Sequence, residues 1–443
     1  MPLRPGPGGT KAEGSPGRHE TAMSGAYWRL FVAYTVDTVG DTFYVLALPL
    51  VLLGLGYDPS VITYVFSITM FATVIAGFTL GYLVDRHVPI HVMFWSYVGS
   101  AALLGTGAVL ITLGISALAT VLGVALALGF LVALSAAAVD AGIPAALEHQ
   151  SQVRRGYAMV ESSRTTATLA GPALAGVVAV AHSLPAVLTV NAACFLASAG
   201  CLVRDLGRRH RARRRPHAGD AREPALREVM QGLRILLAEK RIRGGIALSQ
   251  VANLTLGAEQ PLFMARMIRD LGVSPLTTSG LVIGAGACSV VAIEVISRRA
   301  TSWRPVWAMI WANVVTGAAA LVIGGTSAWL VAGLAYALTA TAGIVYNVYW
   351  RSLRQEVVPP HLLGRVSAAT RSLAYLGVAV GALGTALVQA GGVPTGTILV
   401  CGGVLCLIGT VVAAWVLPTA AVPARDGASP GGRPDEVGSP RPT

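Results

Sequence analysis

Residues 88–139 read VPIHVMFWSYVGSAALLGTGAVLITLGISALATVLGVALALGFLVALSAAAV, a run without a single Asp, Glu, Lys or Arg. At 1.5 Å per residue about 20 apolar residues cross a hydrocarbon core of roughly 30 Å. The run therefore holds two crossings, divided only by Gly114 and Ser116, which bend the chain in a charge-free hairpin. In lipid the backbone must satisfy its own hydrogen bonds, so segments of this length and composition are helices.

The same pattern extends in both directions. Apolar spans are predicted at about 28–54, 60–83, 90–112, 116–139, 163–182 and 185–203, then 244–266, 276–297, 305–324, 327–349, 368–389 and 395–417. The expectation is an all-α polytopic membrane protein with about twelve transmembrane helices. Composition agrees: 54% of residues are hydrophobic and 12% charged, about half the charged share of a soluble chain, which leaves too little to build a water-facing surface.

The net charge of +12 does not point to nucleic acid. Arg86, Arg154 and Arg155, the run from Arg204 to Arg243, Arg298 and Arg299, and Arg351 to Arg365 fall in every second connection, while the intervening ones carry only Arg266 and Arg269. This is the positive-inside pattern, not the contiguous basic face a nucleic-acid binder needs, and it predicts both termini in the cytoplasm of a cell-membrane protein. Residues 1–26 and 418–443 are rich in Pro and Gly and are expected to be disordered cytoplasmic tails. Residues 205–243 form a basic loop in which Leu226, Val229, Met230, Leu233, Leu236 and Leu237 recur at helical spacing, predicting an interfacial amphipathic helix. The functional reading is binding to anionic lipid or to a partner, but a solvated cytoplasmic linker needs nothing beyond topology and is the favoured reading. The five cysteines lie in apolar runs without metal-ligand spacing, and no Walker-type phosphate loop or nucleophilic-serine motif is present, so neither a metal nor an enzyme activity is expected.

The segments on either side of that loop, 27–204 and 244–417, repeat one another. Leu55, Gly56 and Pro59 after the first span share their spacing with Leu271, Gly272 and Pro275 after the seventh. That register sets Asn253 opposite Asp37 and Gly257 opposite Asp41, and a second offset pairs Asp140 and Arg164 with Asn347 and Arg371. Two six-helix pseudo-repeat bundles facing a central cavity are expected.

Asp37 and Asp41 lie about 12 and 18 Å along the first span, near the bilayer midplane and on one helix face. Each costs roughly 2.5–3.5 kcal/mol at such a depth. Two carboxylates this close in low dielectric do not both ionise readily, which suits a proton carrier; the alternative is static polar glue through Thr38, Thr35 or Tyr34. Glu259, two residues before Pro261, either binds a cation or a proton or lines a hydrated vestibule. Asn253, Asn347 and Tyr336 are among the few polar handles of the spans, and so sparse a set suits a bulky amphipathic solute better than a sugar. Helix-to-helix hydrogen bonding accounts for the asparagines as well.

Several motifs carry a family resemblance. Gly81, Asp85 and Arg86 match the opening of the loop signature of the major facilitator superfamily, although Val88, Pro89 and Ile90 replace its glycine and basic continuation. Gly171 and Pro172 with Ala175 and Gly176 resemble the Gly-Pro kink of the antiporter branch. Gly40 and Asp41, with the segment from Ser352 through Arg354, Pro359, Gly364 and Arg365 to Arg371, resemble the macrolide-efflux and siderophore-exporter-like branch over essentially all twelve spans. The resemblance implies a monomeric secondary transporter in the lipid bilayer. It would export a small-molecule substrate such as a drug, antibiotic or secondary metabolite, driven by a proton gradient and needing no cofactor. Asp41 would couple protons, and Gly81, Asp85, Arg86 and Arg371 would form a conformational latch. An importer or lipid-moving member, or a scaffold without transport, are the other classes. The branch's frequent small hydroxyl is replaced by Asp37, and no arginine lies inside span four, so a mechanism relying on that arginine is not implied.

Overall fold

The computed structural model describes residues 23–79, 87–147, 150–179, 183–207, 240–299, 305–358 and 363–416. Residues 1–22 of the predicted N-terminal tail, the C-terminal tail, the amphipathic helix and the latch residues Gly81, Asp85 and Arg86 lie outside these residues, while Gly25 and Ala26, predicted as the end of the N-terminal tail, already belong to the first helix. The described residues form twelve α-helices and no strand: α1 (Gly25–Gly54), α2 (Pro59–Thr79), α3 (Pro89–Thr112), α4 (Ala117–Ala146), α5 (Gln150–Ala179), α6 (Leu184–Leu206), α7 (Lys240–Ala265), α8 (Pro275–Arg299), α9 (Pro305–Gly325), α10 (Trp329–Val357), α11 (Leu363–Ala390) and α12 (Thr395–Val416). A π-helical turn, Arg266–Asp270, extends α7.

The helix starts and stops follow from local chemistry. Ser24, Ser116 and Ser183 cap α1, α4 and α6 by accepting a backbone N–H in the first turn. Prolines open α2, α3, α8 and α9, where a missing N–H costs nothing. The repeat legible in the sequence is a repeat of these stops. Gly56 and Gly272 both take left-handed backbone, at φ 90° and 65°, and Pro59 and Pro275 each start the next helix.

Ten of the helices are long and apolar enough to cross a membrane by themselves. The other two are α5 and α7, diluted by Arg155, Glu161 and Arg164 in one and by Lys240, Arg241, Arg243, Asn253 and Glu259 in the other. Both face protein on several sides. α5 packs on α1 and α8, and α7 packs on α2, α11 and α12.

Helix length departs from the predicted spans in a patterned way. α4 runs to Ala146, α5 begins at Gln150, α10 runs to Val357 and α11 begins at Leu363, each beyond its apolar stretch and all at the arginine-rich end. Charged residues end hydropathy without ending helicity, because a helix leaving the bilayer keeps its own backbone hydrogen bonds. The extended pairs occupy equivalent places in the two repeats.

α1 packs on α5 and α6, α3 on α4 and α6, and α2 on α4, forming the N-terminal six-helix bundle. α7 packs on α11 and α12, α9 on α10 and α12, and α8 on α10, forming the C-terminal one. Small residues let backbones touch: a Cβ added at Gly403 would stand 2.7 Å from the Gly317 carbonyl oxygen, and one at Gly396 2.7 Å from that of Gly324. The bundles meet through α2 against α11 and α5 against α8. Outward faces carry exposed Leu113, Val177, Leu196, Leu405 and Val412, the surface expected toward lipid. Exposed Trp28, Trp307 and Trp415 stand at the arginine-rich end and Trp329 at the other, as interfacial anchors do.

Candidate functional site

A cavity of about 230 Å³ lies where the bundles face one another. α1, α2, α4 and α5 line it from one half, and α7, α8, α10 and α11 from the other. Most of the wall is aliphatic or aromatic. Its polar groups are Asp41, three threonines, Gln260 and the tyrosines Tyr44, Tyr336 and Tyr375, so that Asp41 is the single ionisable carboxyl group in the lining.

Asp41 reaches the cavity because of what its neighbours on α1 do. A Cβ at Gly40 would stand 2.7 Å from Cys194 Cβ and 2.8 Å from Asn191 Oδ1, so the bare glycine lets α6 press against this turn of α1. On another side, a Cβ at Gly171 would meet Thr42 Cβ at 2.6 Å, so α5 fits against α1 just beyond Asp41. α1 is thus gripped between α5 and α6 at the level of its acidic pair. Pro172 lies in the cavity wall itself, and α5 continues through it although it offers no N–H to the residue 168 carbonyl.

Asp37, one turn away, is inside the N-terminal bundle rather than in the cavity. Its Oδ2 accepts the Tyr97 hydroxyl of α3 at 3.2 Å, and its Oδ1 has no partner. Two of the hydroxyls that could have tied it down locally are used elsewhere. Thr38 donates to the Tyr34 carbonyl, and Thr35 to that of Phe31, with Ser163 of α5 beside it at 2.8 Å. Asn191, fully buried on α6, leaves both side-chain polar atoms unpaired close to this turn. Tyr97 is therefore the partner of Asp37, and Asn191 stands beside Gly40, which lies between the two acidic residues in sequence. Tyr97 lies in a charge-free run where nothing local signals its partner, sixty residues away.

The remaining predicted site residues divide by place. Tyr336 lines the cavity and stacks on Phe263, with centroids 4.0 Å apart. Asn347 is exposed, eleven residues further along α10 and so on the same face as Tyr336, about 16 Å toward the arginine-rich end. Asn253 is not in the cavity wall: it lies seven residues before Gln260 and so on the same face of α7, about 10 Å toward the arginine-rich end, where its amide donates to the Ser249 carbonyl at 2.8 Å and its Cβ stands beside Gly377 of α11. Glu259 is 1% exposed inside the C-terminal bundle, while the next two residues, Gln260 and Pro261, line the cavity.

The halves are joined above and below the cavity. Toward the end bearing Gly56 and Gly272, Arg269 donates to the Tyr57 carbonyl at 2.9 Å, Thr63 bonds Gln389 at 3.2 Å, and Gly176 of α5 packs against Ser279 of α8. At the arginine-rich end Arg371 of α11 pairs with Asp140 of α4 at 2.8 Å. Both side chains are about half exposed, so water reaches this bridge. Arg371 thus has an acidic partner across the two halves, and Tyr375, one turn along α11, lines the cavity.

Comparison with solved structures gives the same architecture. The nucleoside transporter NupG, in a point-mutant form, superimposes with a TM-score of 0.71 at 12% identity, covering 89% of this chain and 100% of that one. A POT family transporter in complex with a thioalcohol-conjugated peptide gives 0.69 at 10% identity, covering 88% and 95%. A bacterial homologue of the iron transporter ferroportin in its inward-facing state gives 0.65 at 14%, covering 88% and 97%. At these identities the likeness is one of fold. No curated protein matches the chain by sequence. A family model described as Major Facilitator Superfamily matches residues 30–382. With that match over most of its length, twelve helices in two bundles among the described residues and a cavity between them, the chain is a multi-pass membrane protein of the Major Facilitator Superfamily, a family of small-molecule transporters.

Proposed function

We propose that the protein exports small amphipathic molecules across the cell membrane in exchange for protons, as a monomer with both termini in the cytoplasm. The observation that carries this reading is the cavity wall: apolar and aromatic side chains from both halves surround a single carboxyl group, Asp41. Such a wall binds by apolar area and offers few hydrogen bonds, which suits a drug-like or antibiotic-like solute and not a sugar or nucleoside. A lone carboxyl group in that wall is costly unless it is used. It is neutral while the site is dry and ionised when the site opens to water, so a pH gradient biases the alternation between two open states. The resemblance to the macrolide-efflux and siderophore-exporter-like branch supplies the direction.

Everted membrane vesicles test direction and substrate class together. Vesicles from cells expressing the protein are expected to accumulate the amphipathic dye ethidium when respiration acidifies their lumen, and to lose it when an ionophore collapses the gradient. Accumulation confined to right-side-out vesicles would establish import instead.

A further inference from the structure

Glu259 lies outside the cavity and its two carboxylate oxygens have no hydrogen-bond partner. Among the described residues no Lys, Arg or His stands within ion-pair distance of it. The titratable groups near enough to feel its charge are Tyr336 from α10 and Cys406 from α12, both neutral under ordinary conditions, and the Thr339 hydroxyl of α10 lies near it without a hydrogen-bond partner of its own. A buried anion without a counter-charge costs several kcal/mol or more, and such a group takes up a proton instead. Replacement by Leu or Met would fill the same space without that cost, so packing does not explain the residue.

The surroundings indicate how a proton would come and go. Tyr336 has one face in the cavity wall and stacks on Phe263, one turn beyond Glu259 on α7. Thr339, beside the carboxyl group, is one turn along α10 from Tyr336. Pro261 lies between Glu259 and Phe263 and leaves the Gly257 carbonyl without its helical N–H, which loosens α7 at this turn.

We propose that Glu259 is a second proton-binding site, in the C-terminal half, closed off from the cavity by the Tyr336–Phe263 stack and discharged when that stack opens. It is separate from the Asp37–Asp41 pair of α1. It deepens the proposed function by giving each half its own proton site, but it does not depend on the direction of transport.

Infrared difference spectroscopy of the reconstituted full-length protein tests it without a substrate. At neutral pH the wild-type spectrum is expected to contain a protonated carboxyl C=O band that shifts slowly in D₂O. Glu259→Gln loses this band, while the double variant Asp37→Asn/Asp41→Asn retains it. Tyr336→Ala keeps the band but makes its deuterium exchange fast. The reading is overturned if Glu259→Gln, eluting as a monodisperse protein, leaves the neutral-pH spectrum unchanged. It is also overturned if the band appears only when sodium is replaced by choline, because the site then holds a monovalent cation. Failure of ethidium transport with the band intact would sink the export reading alone.

Discussion

Gly40 decides more of the site than its lack of chemistry suggests. It was legible in the sequence only as the neighbour of Asp41; the structure adds that it is where α6 touches α1, with Asn191 and Cys194 inside the space a side chain would need. Gly40→Val is expected to cost about 1–3 kcal/mol by overpacking, read as a lowered thermal midpoint in detergent, and a parental midpoint would contradict the packing described. The acidic residues themselves stood out because carboxylates are expensive within an apolar span. Their separation into Asp41 in the cavity and Asp37 inside the bundle was not legible. Positions four apart share a face, and the cavity edge happens to pass between them. Tyr97 was invisible for the opposite reason, as one of four aromatic residues in a charge-free run, identified only when α3 is folded against α1.

Among the helices, the apolar spans reported where the chain crosses lipid, and the caps reported where it turns. Leu55, Gly56 and Pro59 against Leu271, Gly272 and Pro275 is a repeat of helix ends, which is why it survives when the intervening side chains have diverged. Hydropathy misjudged the arginine-rich ends of α4, α5, α10 and α11, because it measures lipid compatibility and these turns project beyond the apolar layer. In α5 and α7 hydropathy is lowered mainly by charges at or toward the arginine-rich end, where Arg155, Arg164, Lys240 and Arg243 are exposed, and among the described side chains only Glu259 is a charged residue covered by neighbouring helices. Its chemistry was legible and its depth roughly so, but which side of α7 it occupies depends on α10 and α12.

At the scale of the whole molecule, two bundles touch at both ends of one cavity, and those contacts must part in turn for a solute to pass. The bridge from Asp140 to Arg371 is half exposed and contributes about 0–1 kcal/mol, enough to bias an equilibrium but not to lock it. Spin labels on α4 and α11 near the arginine-rich end are expected to show a longer mean distance in Arg371→Asp, with the distance restored in the charge-swapped Asp140→Arg/Arg371→Asp protein. An unchanged distance in the single variant would remove the bridge from the transport cycle. The predicted pairing of the two halves was readable from the repeat, whereas this bridge was not, since Asp140 and Arg371 are 231 residues apart.

The central claim is that the carboxyl group of Asp41 couples the cavity to the proton gradient. Purified protein in proteoliposomes, with an imposed pH gradient and ethidium as the probe, tests it most directly. The parental protein is expected to drive ethidium against its concentration gradient, and to stop when an ionophore collapses the pH difference. Asp41→Asn should keep downhill exchange of the dye but lose the gradient-driven component, while Asp37→Asn, whose repeat partner Asn253 is already an amide, loses less. Gradient-driven transport at the parental rate in Asp41→Asn, in Asp37→Asn and in the double variant would contradict the account and leave the pair as structural polar contacts.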